Sequence, residues 1–192
     1  YFPNGQLAVS GVYKNGYGKE GKWKEYDEYG NLEKEYNYSD GELEGEFIEY
    51  FRDGTVKKRY EYKAGNLHGP YQEFYINGNL SSKGYYIDGN SEGVWTFYHP
   101  DGTLRKESFY LADERSGSSK NYSVEGKLTY TEYYKKNMLV RVDYYDTTGV
   151  MVRRMDLPEG TGLYTRKHFN GELEFSGRFE LGKSTGKYIW YD

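Results

Sequence analysis

The chain of 192 residues holds 25 glycines, 25 tyrosines, 4 prolines and no cysteine, with 26 basic against 30 acidic side chains for a net charge of −4. Cysteine catalysis and disulfide stapling are excluded, no basic excess exists to attract phosphate backbones, and no run of 18 apolar residues offers a membrane span or a signal-peptide core. Alanine occurs only at Ala8, Ala64 and Ala112, and with helix formers replaced by ring-bearing and turn-forming residues the chain reads as all-β.

Taken in chain order, a glycine after a short polar stretch recurs at Gly5, Gly30, Gly54, Gly78, Gly102, Gly126, Gly149 and Gly171, at spacings of 25, 24, 24, 24, 24, 23 and 22 residues. An aliphatic residue stands two places after every one: Leu7, Leu32, Val56, Leu80, Leu104, Leu128, Met151 and Leu173. A ring stands four places before each as far as Tyr145, and Lys167 breaks the rule. A second punctuation follows at Gly16, Gly41, Gly65, Gly89, Gly160 and Gly182, with Asp113 and Asn137 in the middle of the chain. These residue types accept positive φ and suit reversing turns between antiparallel strands. Between turns the sequence alternates with period two, as in Leu32, Lys34, Tyr36 and Tyr38 on one face against Glu33, Glu35 and Asn37 on the other. Each unit of about 24 residues is therefore expected to be a strand, a turn and a returning strand that opens at a glycine such as Gly45, Gly69 or Gly93.

The segment Gly93-Val94-Trp95 through Tyr98, Gly102 and Leu104, and likewise Gly21-Lys22-Trp23 through Tyr26, Gly30 and Leu32, resembles the bacterial variant of the MORN repeat, Gly-x-Trp-x-x-Tyr-x-x-x-Gly-x-Leu. The resemblance covers all eight units and weakens between 113 and 162, where Ser119 replaces a ring, Arg141 replaces a strand-opening glycine and Pro158 enters. It implies an elongated single-layer antiparallel sheet of about eight tandem β-hairpins forming one repeat domain over 1–192. It also implies protein or membrane association rather than chemistry, and bacterial members of the variant include YwqK-family antitoxin-like proteins. The residues agree with that fold, because a lone hairpin cannot bury its own apolar face and needs its neighbours.

Several constellations invite a chemical reading. Gly16-Tyr17-Gly18-Lys19-Glu20-Gly21 has the letters of a dinucleotide loop, but that loop must open a helix, and here it falls on a turn position. His68, His99 and His168 lie in different units, without the spacing of metal ligands, and His99 sits in a turn where a solvated ring is expected. Glu25, Glu49 and Glu73 recur every 24 residues; a ladder of calcium contacts is conceivable, yet calcium loops gather their oxygens locally, and a solvated strand face accounts for the period. No nucleophile with a local base signature occurs. No cofactor, no metal and no catalytic residue is expected.

The rings Trp23, Phe47, Tyr71, Trp95, Tyr164 and Tyr188 share one register. They read first as packing ladders and second as a binding platform. Arg115–Lys120 reads as a loop or frayed strand, and Met138-Leu139-Val140-Arg141-Val142, the most aliphatic stretch, as degenerate repeat or, if exposed, as an apolar interface. The binding candidates are thus Trp23, Phe47, Tyr71, Trp95, Leu139 and Val140. The expected partner is a protein, with a toxin as one case. A glycan or lipid is less favoured because the charge is acidic, and pairing of two chains through terminal strand edges is open. The absence of cysteine fits an exported protein, the favoured location, and a cytoplasmic one alike. Tyr1 falls inside a unit and Trp190-Tyr191-Asp192 stands where another would begin, so further native sequence is expected at both ends.

Overall fold

Glycine-marked turns at short intervals dictate strands of six to nine residues, and the computed structural model, which describes residues 1–16, 18–167, 173–181 and 183–190, consists of such strands. They are β1 (Val9–Lys14), β2 (Gly18–Tyr26), β3 (Leu32–Ser39), β4 (Glu42–Tyr50), β5 (Val56–Lys63), β6 (Asn66–Phe74), β7 (Leu80–Ile87) and β8 (Asn90–Tyr98). The series continues with β9 (Leu104–Leu111), β10 (Glu114–Tyr122), β11 (Leu128–Lys135), β12 (Met138–Tyr145), β13 (Met151–Asp156), β14 (Gly162–Lys167), β15 (Leu173–Glu180) and β16 (Lys183–Trp190). Strands β1 to β13 form one open antiparallel sheet in strictly sequential order, and β14, β15 and β16 form a second, three-stranded sheet. Hairpins succeed one another without a crossover, as the repeat demands.

Two kinds of turn alternate. Between β3 and β4, Asp40 and Gly41 both take positive φ, 50° and 87°, between the paired residues Ser39 and Glu42, the tight hairpin geometry that Asx-Gly pairs prefer. Between β2 and β3 the loop is longer: the Gly30 amide donates to Asp27 O at 3.0 Å, and the Asp27 carboxylate accepts the amides of Tyr29 and Asn31 at 2.9 Å. The tight turns are also tied to the preceding unit. The Gly41, Gly65 and Gly89 amides donate to Lys19 O, Leu43 O and Leu67 O, and the Asp40 and Ala64 amides donate to the Glu20 and Glu44 carboxylates.

Returning strands carry a bulge at their opening glycine. Tyr36 faces Phe47 while Tyr38 faces Leu43, so β4 places two extra residues around Gly45, whose φ is +78°. The β5–β6 and β9–β10 pairs repeat the shift at Gly69 and Gly117. At β12 the equivalent residue is Arg141, and there the slip shrinks to one residue. Without a glycine to accept the left-handed conformation, the wider bulge is lost, which accounts for the shortened spacing from Gly126 to Gly149.

The contacts divide the chain into two units, residues 1–92 with 98–102, and 93–97 with 103–192. In the first, the sheet is a single layer among the described residues. In the second, β12 carries a small core: Leu139, Val142, Tyr144, Leu157 and Tyr164 cluster, with Tyr130, Tyr134 and Met155 against them. The Tyr144 hydroxyl donates to Thr165 O at 2.6 Å, binding β14 to β12. The 3-10 turn Pro158–Gly160 directs the chain out of the first sheet, with Glu159 at φ +51° and the Leu157 amide bonded to Val140 O.

Three expectations for the stretch 113–162 are corrected here. Arg115–Lys120 is neither loop nor frayed strand; it lies in β10, paired to β9 and β11, because Gly117 at φ +71° supplies the usual bulge and the small Ser119 still alternates correctly. Met138–Val142 is a strand with Leu139 4% and Val142 0% exposed, so no open apolar patch forms there. The uniform run of hairpins ends at β13, where Pro158 supplies no amide donor to a continuing ladder.

Candidate functional site

Period-two alternation sends the rings of the first unit to one face. Tyr13 meets Trp23 edge-on at 5.1 Å and Trp23 meets Tyr38 at 6.0 Å. Beyond them Tyr36, Phe47, Tyr60 and Tyr71 stack at 4.9, 5.0 and 5.9 Å, and Tyr71 meets Tyr86 at 5.7 Å. Three of the predicted binding residues, Trp23, Phe47 and Tyr71, thus share one continuous ladder. Trp95 lies in the second unit, 6.2 Å from Tyr110. Leu139 is in the core, and Val140 is half-buried beside it. Tyr164 joins that core, whereas the Tyr188 side chain, His168, Gly171, Gly182 and Tyr17 lie outside the described residues.

The ladder is unevenly covered. Trp23 and Tyr36 are buried at 4% and 5% exposure, whereas Phe47, Tyr60, Tyr62 and Tyr71 remain half-buried. Trp23 owes its cover to Lys19, whose ammonium lies 4.6 Å from the ring centroid, and to Gly11, where a Cβ would run into the indole.

The recurring carboxylates lie on this ring face and not on a solvated opposite face, which corrects the sequence reading. By register Glu25 faces Lys34, Lys34 faces Glu49, Glu49 faces Lys58 and Lys58 faces Glu73, so acid and base alternate from strand to strand. Tyr36 and Tyr60 donate their hydroxyls to Glu25 and Glu49 at 2.7 and 2.8 Å, and Lys34 donates to Glu25 at 2.8 Å. Sequence reasoning missed this because a tyrosine two places from a lysine does not reveal which acid its hydroxyl will reach. Burial would raise the Glu25 carboxyl, but hydrogen bonds from Lys34 and Tyr36 hold it below its ordinary range. Burial first, and the neighbouring carboxylates second, push the Tyr36 and Tyr60 phenols well above theirs.

The opposite face is charged. Glu35 pairs with Lys24 at 2.6 Å and Lys22 at 3.6 Å, and Arg59 with Glu46 at 3.1 Å. In the second unit Asp143, 2% exposed, accepts two bonds from Arg154 and lies 3.5 Å from Arg141, whose guanidinium stacks on Tyr133.

These arrangements bind side chains to one another. The carboxylates are taken up by tyrosines and lysines, and among the described residues no group of three or more His, Cys, Asp or Glu is placed to hold a metal ion. His68 pairs with Asp88 at 3.2 Å, and His99 is half-buried with Nε2 shielded, contrary to the solvated ring expected of it. Gly16 is in the turn after β1 and Gly18 opens a strand, so the glycine-rich stretch opens no helix.

The repeat pattern matches the MORN repeat variant over residues 1–15, 19–40, 43–64, 67–88 and 91–112, more than half of the chain. The chain belongs to the MORN repeat variant family. Repeats of this family are protein-interaction modules and are generally non-catalytic. In this MORN repeat chain each complete matched segment holds all but the first residue of a returning strand, its longer turn and the strand after it. No curated protein matches the sequence. A solved structure described as accessory secretory protein 1, 2 and 3 of Streptococcus pneumoniae is similar to 72% of this chain at 14% identity and a TM-score of 0.22. The chain spans 22% of the length of that protein. No helix among the described residues is long and apolar enough to cross a membrane.

Proposed function

We propose that the chain is a non-enzymatic scaffold that binds a protein partner on the ring face of its repeats, with Phe47 and Tyr71 as contact rings, Trp23 as packing beside them and Trp95 as packing in the second unit. One observation carries the reading: Phe47, Tyr60 and Tyr62 stay half-exposed along an ordered ladder that no second layer covers among the described residues of the first unit. A row of rings with polar edges is the surface that protein partners cover. The second unit illustrates the solution internally, since there the chain's own β14 lies against the ring face of β12. Leu139 serves that internal core and is not part of the contact surface.

Photo-crosslinking tests the reading. Benzoylphenylalanine is placed at Phe47 on the ring face and, separately, at Arg59 on the charged face of the full chain in its native cells. One polypeptide crosslinked at position 47 and absent at position 59 is the expected result. Crosslinks only at position 59, or none at either, would overturn it. A captured polypeptide that arrests growth when expressed alone would make the scaffold an antitoxin.

A further inference from the structure

The ring face carries a row of lysines at one repeat position, Lys34, Lys58 and Lys106, four residues after successive or alternate turn glycines. Lys34 is flanked in register by Glu25 and Glu49, and Lys58 by Glu49 and Glu73. At Lys106 both flanking acids are gone. Phe97 stands at the repeat position of Glu25, Glu49 and Glu73 on the preceding strand, and Asn121 faces Lys106 on the following one. The ion-paired carboxylate that remains is Glu132 at 3.7 Å, contributed from β11, two strands away.

The surroundings are those of a binding groove. An open depression of about 510 Å³ is lined by Lys106, Arg105 and Asn121, with Phe97, Tyr110 and Tyr130 among its walls. The ladder is interrupted beside it: Ser108 and Ser119 stand at ring positions, are buried and bond to each other at 2.8 Å. Arg115, stacked on Tyr134 at 4.2 Å, adds a further positive charge nearby. Burial lowers the Lys106 ammonium below its ordinary range, and Arg115 and Arg105 push in the same direction against Glu132.

We infer that this groove is a carboxylate-binding site, in which Lys106 takes an aspartate or glutamate side chain of an acidic segment of a partner protein while the flanking rings pack its methylene groups. The incoming carboxylate occupies the place that Glu49 fills beside Lys34 and Lys58. The inference rests on the scaffold reading for its source of ligand, and the charge balance of the groove sets the ligand's sign.

The test is a fluorescence-anisotropy titration of the full chain with a labelled, end-blocked tetraglutamate peptide, with tetraglutamine as the uncharged probe. Binding of tetraglutamate alone is expected. Lys106→Gln weakens it at least about tenfold, since a hydrogen bond to a charged group is lost. Asn121→Glu, which restores the acid of the other repeats, weakens it to the same degree, while Lys58→Gln leaves it unchanged. Near-ultraviolet circular dichroism verifies that each variant is folded. Absence of binding to the unaltered chain, wild-type binding by Lys106→Gln or Asn121→Glu, or equal loss in Lys58→Gln would overturn the site. Glutarate displacing the peptide at equal concentration would overturn the protein segment as its source in favour of a small organic acid. If the Phe47 crosslink persists while tetraglutamate fails to bind, the scaffold stands and the site falls; the reverse result removes the scaffold and keeps the site.

Discussion

At the scale of single residues the tyrosine hydroxyls join packing to electrostatics. A phenol in the ladder is half-covered by its neighbours, and its oxygen meets a glutamate, so ionisation would set an anion beside an anion in a partly dry place. Burial, then the Glu107 carboxylate, pushes Tyr122 up to about 12. Tyr144 also rises to about 12, from burial first, while Tyr36, Tyr60 and Tyr71 rise too. A phenol whose folded value is raised contributes stability that is complete below its unfolded value, about 10, and is lost as pH climbs through the folded value. The protein should therefore hold its structure to about pH 10 and lose it between about 10 and 12. Tyrosinate absorbance and far-ultraviolet circular dichroism should change together; gradual ionisation near pH 10 with unchanged dichroism would contradict this.

At the scale of elements, strand and turn have separate determinants. Strands depend on cross-strand pairs worth roughly 0.2–1 kcal/mol each, and the tight turns on two successive positive-φ residues. Ala64 occupies such a position at φ +47° where Asp40 and Asp88 stand in neighbouring units. Its Cβ is strained there without the side-chain hydrogen bonding that favours Asx. Ala64→Asn should stabilise the protein by about 0.5–1 kcal/mol, read as a higher urea midpoint at unchanged slope. The element scale also shows where repeats can lapse: β10 remains a strand without its ring because Gly117 preserves the bulge, whereas Arg141 in β12 removes a residue from it. Backbone conformation, more than ring identity, fixes the period.

At the scale of the whole molecule, stability is largely a sum over neighbouring hairpins, because the backbone ladder of each described strand is made with the strands beside it. Damage should remain local. Gly11→Ala forces the Trp23 indole to shift, at a cost of roughly 1–3 kcal/mol. Amide exchange should accelerate in β1 to β3 and be unchanged around Leu139, Val142 and Tyr164. Uniform acceleration through both units would show one cooperative block instead.

The sequence by itself determined the period, the all-β class, the positions of both turns and the common face of Trp23, Phe47 and Tyr71, since glycine at positive φ and period-two alternation are local properties that survive without a partner. It also located the weakening of the repeat after 113. It could not determine which surfaces meet beyond adjacent strands. Leu139 reads from the sequence as degenerate repeat or, if exposed, as an interface, and it is core because Leu157 and Tyr164 return to cover it. Glu25, Glu49 and Glu73 looked solvated and lie on the ring face, where tyrosine hydroxyls donate to Glu25 and Glu49 and the Ser82 hydroxyl to Glu73. The loss of both acids around Lys106 became visible only once the register set Asn121 opposite it. Contacts between residues far apart in sequence are decided by bulges and by the exit of β14 from the first sheet, and those belong to the tertiary structure alone.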